Sequence, residues 1–266
     1  MLASLKDKTP IFILCGGLGT RMKEETEFMP KPMVVVGGEP ILIHIMKSYA
    51  LHGFTNFVLC LGFKSDYVKK YFLTRRYLAN DFLIDADKEP EILSSVAKDN
   101  WKIRLIDTGD DSMTGCRIAR AFDCYDDDFD HFGVTYGDGL CNLNITEEFR
   151  FHLDHGSIGT ITGVNPISRF GQIAADGNTV QKFMEKPILT DEWINGGYFF
   201  FKKEFRSYLS DESTCVLERE PLVRLTDDRG LRVYKHSEFW RCMDTQRDKE
   251  ELDGMFSEGK IKWLTT

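Results

Sequence analysis

Apolar and polar positions change their period several times along the chain, and each change marks an element. The run IFIL at 11–14 has the length and composition of a buried strand, and glycines begin where it would end. Pro40 opens a helix-periodic stretch, PILIHIMKSYALHG, that stops at Gly53. FVLCL at 57–61 reads as the next strand, and SDYVKKYF as a helix with Ser65 placed to cap it. Further strands are expected at 102–107 (KIRLID), 132–136 (FGVTY), 158–164 (IGTITGV) and 197–201 (GYFFF), with helices between several of them. This alternation predicts an α/β fold, a single Rossmann-like core on a mixed, mostly parallel sheet with a C-terminal elaboration. Residues 73–100 keep no clean periodicity and read as an insertion, a candidate contact between copies of the chain. No repeat, low-complexity tract or Pro/Ser-rich linker divides residues 1–266, so one domain is expected.

Charge narrows the partners. A net charge of −8 argues against a broad nucleic-acid or acidic-membrane surface, so any phosphate must be held by a local site. No apolar run is long enough to cross a bilayer, and MLASLKDKTP carries charge where a signal peptide needs an apolar stretch. Seven cysteines, an odd number without a CxxC pair, fit reduced thiols; a cytoplasmic protein is expected.

The candidate chemistry begins after the first strand, in CGGLGTRM followed by PKP. Glycines let a ligand approach bare N–H groups, and Arg21 and Lys31 supply charge that amides lack. A Walker loop is excluded, because no GxxxxGK precedes a Ser or Thr; a dinucleotide fingerprint is weakened, because Met22 stands at its third glycine. Pro30 and Pro32 remove two donors and limit where Lys31 can point. A glycine-rich turn with incidental cations is the plainer alternative, and the combined spacing favours phosphate binding. Asp138, between glycines after a strand, reads either as a turn aspartate or as a metal ligand. In HLDH, His152 and His155 lack a third metal ligand and are expected on a solvated helix face. DCYDDDFD lacks the glycine and closing glutamate of a calcium loop and reads as a charged turn before the strand at 132.

CGGLGTRM, PKPM, GGEPILIHIM, DTGDDSMTG, TYGDG, FGQI, MEKP, INGGYF and MDTQRD occur in the order found in sugar nucleotidyltransferases, and the chain resembles their glucose-1-phosphate cytidylyltransferase branch from about Ile11 onward. Cys116 departs from that pattern, where a second glycine is common. The resemblance implies transfer of a cytidylyl group from CTP to a hexose 1-phosphate, with release of pyrophosphate and with Mg²⁺ as cofactor. It implies a nucleotide-binding core at 10–72 and 101–165, and a sugar-binding and C-terminal part at 166–266. Leu14, Gly16, Gly17, Gly19, Thr20, Arg21 and Lys31 would hold the triphosphate, Arg21 and Lys31 being catalytic, while Ser112, Gly115, Arg117 and Gly137 would meet the nucleoside. Gly171, Glu185, Lys186, Asn195 and Gly196 would bind the sugar phosphate, and Asp138 and Asp244 would share the metal. For Asp244 a helix N-cap is the alternative, since Asp244 or Thr245 can start the helix that follows. A homo-oligomer is also implied.

Three alternatives stay open at this level. UTP or dTTP, or another sugar 1-phosphate, can replace the expected substrates within the same superfamily. A metal-dependent glycosyltransferase normally uses a DxD motif, and YGDG offers one aspartate. A non-catalytic nucleotide-sensing subunit should have lost Arg21, Lys31, Asp138 or Asp244, and all four are present.

Overall fold

Among the residues that the computed structural model describes, 2–17, 19, 22–93, 99–168 and 170–264, seven strands form the central sheet. They are β1 (Ile11–Leu14), β2 (Asn56–Leu61), β3 (Lys102–Asp107), β4 (His131–Tyr136), β5 (Gly159–Val164), β6 (Ile194–Lys202) and β7 (Leu231–His236). Their spatial order is β7-β5-β6-β4-β1-β2-β3, and only β6 runs against its neighbours. Successive side chains of a strand face opposite ways, so an inner strand must be apolar throughout. In β1, Ile11 and Ile13 join the core layer beneath helix Ile41–Leu51, while Phe12 and Leu14 join the layer beneath helix Thr114–Asp123. Phe200 and the pair Phe199 and Phe201 divide in the same way.

From β1 the chain moves to β2 on one side, and β4 later pairs on the other side. This reversal leaves a crevice beyond the carboxyl ends of β1 and β4, the place where open α/β sheets bind ligands. The glycine loop after β1 and Gly137–Asp138 after β4 both open there.

The expected elements at 11–14, 40–53, 57–61, 102–107, 132–136, 158–164 and 197–201 all form, with ends moved by up to three residues. Ser65 is not a cap: Lys64 takes that position at φ 56°, and the Ser65 hydroxyl donates to Asp107 Oδ2 at 3.0 Å, tying the helix to β3. That helix runs to Leu78, through the first part of the expected insertion, and Phe82–Leu83 then pairs with Glu91–Ile92. β7 and the hairpin Gln172–Asp176/Thr179–Met184 were not foreseen. The hairpin is mostly exposed, so no buried face imprints a period on it. The acidic turn does form, with Asp126 and Asp127 meeting Arg104.

The HLDH reading is overturned. His152 is fully buried: its Nδ1 lies 2.9 Å from Thr160 Oγ1 and its Nε2 lies 3.0 Å from His131 Nδ1. Helix Ile145–His155 packs this face on β5, where Thr162 also donates to the buried Glu148. Burial, helped by His131 and His155, pushes His152 down to about 3, and all six histidines are held below their ordinary value. Burial raises Glu148 to about 8. The two shifts act in opposite directions on stability. A histidine kept neutral in the fold withdraws stability as pH falls from about 6.5 towards 3. A glutamate kept protonated withdraws it as pH rises from about 4.5 towards 8. As pH rises from about 5 to 8, the melting temperature of Glu148→Gln should therefore gain steadily on that of the native chain, because only the native chain carries the buried glutamate that resists ionising. Equal slopes in the two proteins would contradict this account.

Candidate active site

The glycine loop is held from below by a buried arginine. Arg117, on helix Thr114–Asp123, donates from Nη2 to Gly16 O (2.9 Å) and Asp110 O (3.0 Å). From Nη1 it donates to Leu61 O (3.0 Å), Thr108 Oγ1 (3.0 Å) and Gly109 O (2.7 Å). One guanidinium thus ties together the carboxyl ends of β1, β2 and β3. A Cβ at Gly16 would sit 2.2 Å from that guanidinium, so only glycine lets the loop lie on it. Gly19 adopts φ +61°, a left-handed backbone that a side chain resists, and a Cβ there would strike Thr26 at 2.7 Å. Gly17 faces open space, leaving room for a ligand. Thr20 and Arg21 lie outside the described residues.

Arg117 and Ser112, expected at the base, already have protein partners in the ligand-free chain. The Arg117 guanidinium donates to five protein oxygens, and the Ser112 hydroxyl donates to Thr108 O at 2.6 Å and accepts from Arg120. Both are buried supports beneath the loops. Gly115 packs against Cys215, where a Cβ would meet its sulfur at 2.6 Å. Arg117→Ala should cost about 3 kcal/mol or more in urea unfolding, because several buried carbonyls lose their donor at once. An unchanged unfolding midpoint would show that these bonds do not hold the loops.

Lys31 follows Pro30 in a short turn, Lys31–Met33. Gly137, after β4, passes close beneath Pro32 and Leu14 O, where a Cβ would lie 2.8 and 2.7 Å from them. That approach brings Lys31 Nζ to 2.5 Å from Asp138 Oδ2 and 2.7 Å from Asp244 Oδ1. Asp244 arrives through a two-stranded ribbon. Trp240–Cys242 pairs antiparallel with Gly139–Cys141, and Met243 N donates to Asp138 O at 2.9 Å. The following helix is capped by Thr245, in a reciprocal box with Asp248, so the side chain of Asp244 is not the cap. Burial works against the lysine charge, yet Asp138 beside it and the hydrogen bonds to both carboxylates hold it above its ordinary value. Ligand atoms of Asp138, Asp244 and Cys242 lie within 4.8 Å of one another. Burial, with Asp138 nearby, pushes the Cys242 thiol up and keeps it protonated. Two carboxylates already converging on one cationic group are a donor set for a hard divalent ion.

The remaining expected residues form two further groups. Gly171 abuts Glu185, and Lys186 Nζ lies 3.8 Å from Glu185 Oε1. Lys186 holds φ 44°, an unfavoured backbone for a lysine. Asn195 and Gly196 open β6 beside β4: Asn195 Nδ2 donates to Tyr136 Oη at 3.0 Å, and Gly196 O accepts from Trp240 Nε1 at 2.8 Å. Tyr136 in turn donates to Glu218. Neither Tyr136 nor Glu218 was singled out from sequence, because nothing in TYGDG or VLEREPL signals that they meet.

A sheet that reverses at β1, with a glycine loop, a lysine and paired carboxylates at its carboxyl edge, defines a nucleotide-handling α/β enzyme. The chain belongs to the nucleotidyl transferase family, whose model matches residues 11–223. It is 40% identical over 253 residues to a glucose-1-phosphate cytidylyltransferase of Salmonella typhi, covering 95% of this chain and 98% of that one. It is also 38% identical over 252 residues to a probable glucose-1-phosphate cytidylyltransferase of Bacillus subtilis, covering 94% and 97%. Among solved structures, HddC from Yersinia pseudotuberculosis complexed with GMP-PN shares the fold at a TM-score of 0.66 and 24% identity, over 93% of this chain and 99% of that chain.

Proposed function

We propose that this chain transfers a cytidylyl group from CTP to α-D-glucose 1-phosphate, giving CDP-glucose and pyrophosphate. The observation that carries the reading is the convergence of Lys31, Asp138 and Asp244 at the crevice, in a chain 40% identical over most of its length to enzymes of that name. A phosphate oxygen of the sugar attacks the α-phosphorus of CTP, and the bond to the bridging oxygen of pyrophosphate breaks. Several negative charges must meet, so catalysis is positioning and charge relief.

The backbone of Gly16, Gly17 and Gly19, with Thr20, cradles the triphosphate, and Leu14 and Gly137 floor the cavity. Arg21 grips the leaving pyrophosphate with its forked guanidinium, and Lys31 meets charge building on the α-phosphate. Asp138 and Asp244 would hold Mg²⁺, which would supply charge neutralisation at the phosphates when bound. Lys31, now bonded to both carboxylates, exchanges them for the α-phosphate when the substrates bind. Glu185 accepts from sugar hydroxyls, Lys186 pairs with the sugar phosphate, and Asn195 donates to it beside Gly171 and Gly196. Base selection falls to the stretch at 112–117, with Ser112 and Arg117 as the polar contacts, exchanging protein partners for the base when the nucleotide binds.

Pyrophosphate release with glucose 1-phosphate tests the reading. CTP should give the highest kcat/KM; a higher value with UTP or dTTP would reassign the nucleotide. We also assign the enzyme to the cytoplasm as a homo-oligomer. All seven cysteines are free thiols, and among the described residues no helix is long and apolar enough to cross a membrane. Leu73, Leu78, Leu83 and Ile84 are exposed along the arm after β2, which supports that arm as the contact between copies. Deleting residues 81–93 should reduce the mass seen by light scattering to that of one chain. An unchanged mass would count against the contact.

A further inference from the structure

We infer that Glu218 is a positioning residue for the reaction, aiming the Asn195 amide at the sugar phosphate through Tyr136; this rests on the reading of Asn195 as a sugar-side contact. The hydrogen-bond directions leave little freedom. Gly197 N can only donate, and it lies 2.8 Å from Asn195 Oδ1, so that oxygen is the acceptor and the amide cannot be flipped. Asn195 Nδ2 therefore donates to Tyr136 Oη, at 3.0 Å. The Tyr136 hydroxyl has one proton, and its acceptor is Glu218 Oε1. The second carboxylate oxygen accepts from Thr114 Oγ1 at 2.7 Å, and Thr114 Oγ1 accepts from Leu217 N at 2.9 Å. The tyrosine and threonine hydroxyls and one Asn195 Nδ2 proton have their acceptors, and none of the described residues accepts the second Nδ2 proton, which remains to meet a ligand.

The two ends of the relay rest on different parts of the fold. Thr114 begins helix Thr114–Asp123, and the loop carrying Glu218 is docked there by Met113 N to Ser213 O (2.8 Å) and Gly115 N to Cys215 O (3.0 Å). Asn195 is the second residue of β6, and Gly197, two positions on, allows the Tyr136 ring to pack where a Cβ would collide at 2.5 Å. Tyr136 is the last residue of β4, two positions before Asp138. Glu218 thus fixes the sugar-side donor relative to the strand end that carries the metal-side aspartate.

The experiment is steady-state kinetics of Glu218→Ala, Tyr136→Phe, their double variant, Glu218→Gln and Asn195→Ala, with melting curves of each. Glu218→Ala and Tyr136→Phe should each raise KM for glucose 1-phosphate about tenfold, with KM for CTP within about twofold of native. The double variant should be no worse than either single one, since both break one relay. Glu218→Gln should recover most of the loss, because its amide oxygen still accepts from Tyr136. If Asn195→Ala raises KM for the sugar phosphate and Glu218→Ala does not, or if the single effects add in the double variant, the inference is overturned. If Asn195→Ala itself leaves that KM unchanged, the reading of the sugar side fails, a result distinct from failure of the relay alone.

Discussion

Lys31→Ala will lower kcat by about 100- to 1000-fold, the usual loss on removing one preorganised donor from the place where charge develops. The ammonium sits 2.5 and 2.7 Å from two carboxylates in the ligand-free chain, held there by the turn between Pro30 and Pro32. The same substitution should strengthen Mg²⁺ binding to the free protein, because the cation that competes for Asp138 and Asp244 is gone. The two effects have opposite signs, so a general loss of structure cannot imitate them. Lys31→Arg will not restore kcat: a planar fork cannot take the position of a point charge between these carboxylates. Single-turnover kinetics and metal titration by calorimetry check both effects. A variant that keeps near-native kcat would reduce Lys31 to a bridge between two aspartates.

Asp138→Asn and Asp244→Asn should each raise the Mg²⁺ concentration for half-maximal rate by about tenfold or more and cut kcat steeply. Stability should barely move. For Asp244 this follows from the helix start, where Thr245 and Asp248 satisfy the exposed amides and removing a cap would cost only about 1 kcal/mol. If Asp244→Asn titrates like the native chain while Asp138→Asn does not, the two aspartates do not share an ion, and Asp244 serves only to hold Lys31. Metal titration of the rate, with melting curves of the ligand-free variants, decides between these.

Local pattern determined a good deal of this protein. A strand covered on both faces must be apolar throughout, so IFIL, FVLCL and GYFFF could be read directly as strands. The glycines and PKP marked the phosphate loop for the same reason: their backbone needs are local and leave a residue-level trace. Where a residue's role depends on a distant partner, no such trace exists. Asp138 and Asp244 carry no mutual signal in sequence, and a two-stranded ribbon between 139–141 and 240–242 brings them to one lysine. Arg117 carries no sign in sequence that it passes under the loop to the ends of three strands. His152 looked solvated on a polar helix face, but Thr160 and His131, from two strands, give its ring nitrogens buried partners. Tyr136 and Glu218 meet only because the chain at 213–218 docks on the start of helix Thr114–Asp123. Burial and hydrogen-bond pairing across the sheet are properties of tertiary contacts, so only the folded chain could assign the supports of the site, while periodicity and turn chemistry had already set out its core and its loop.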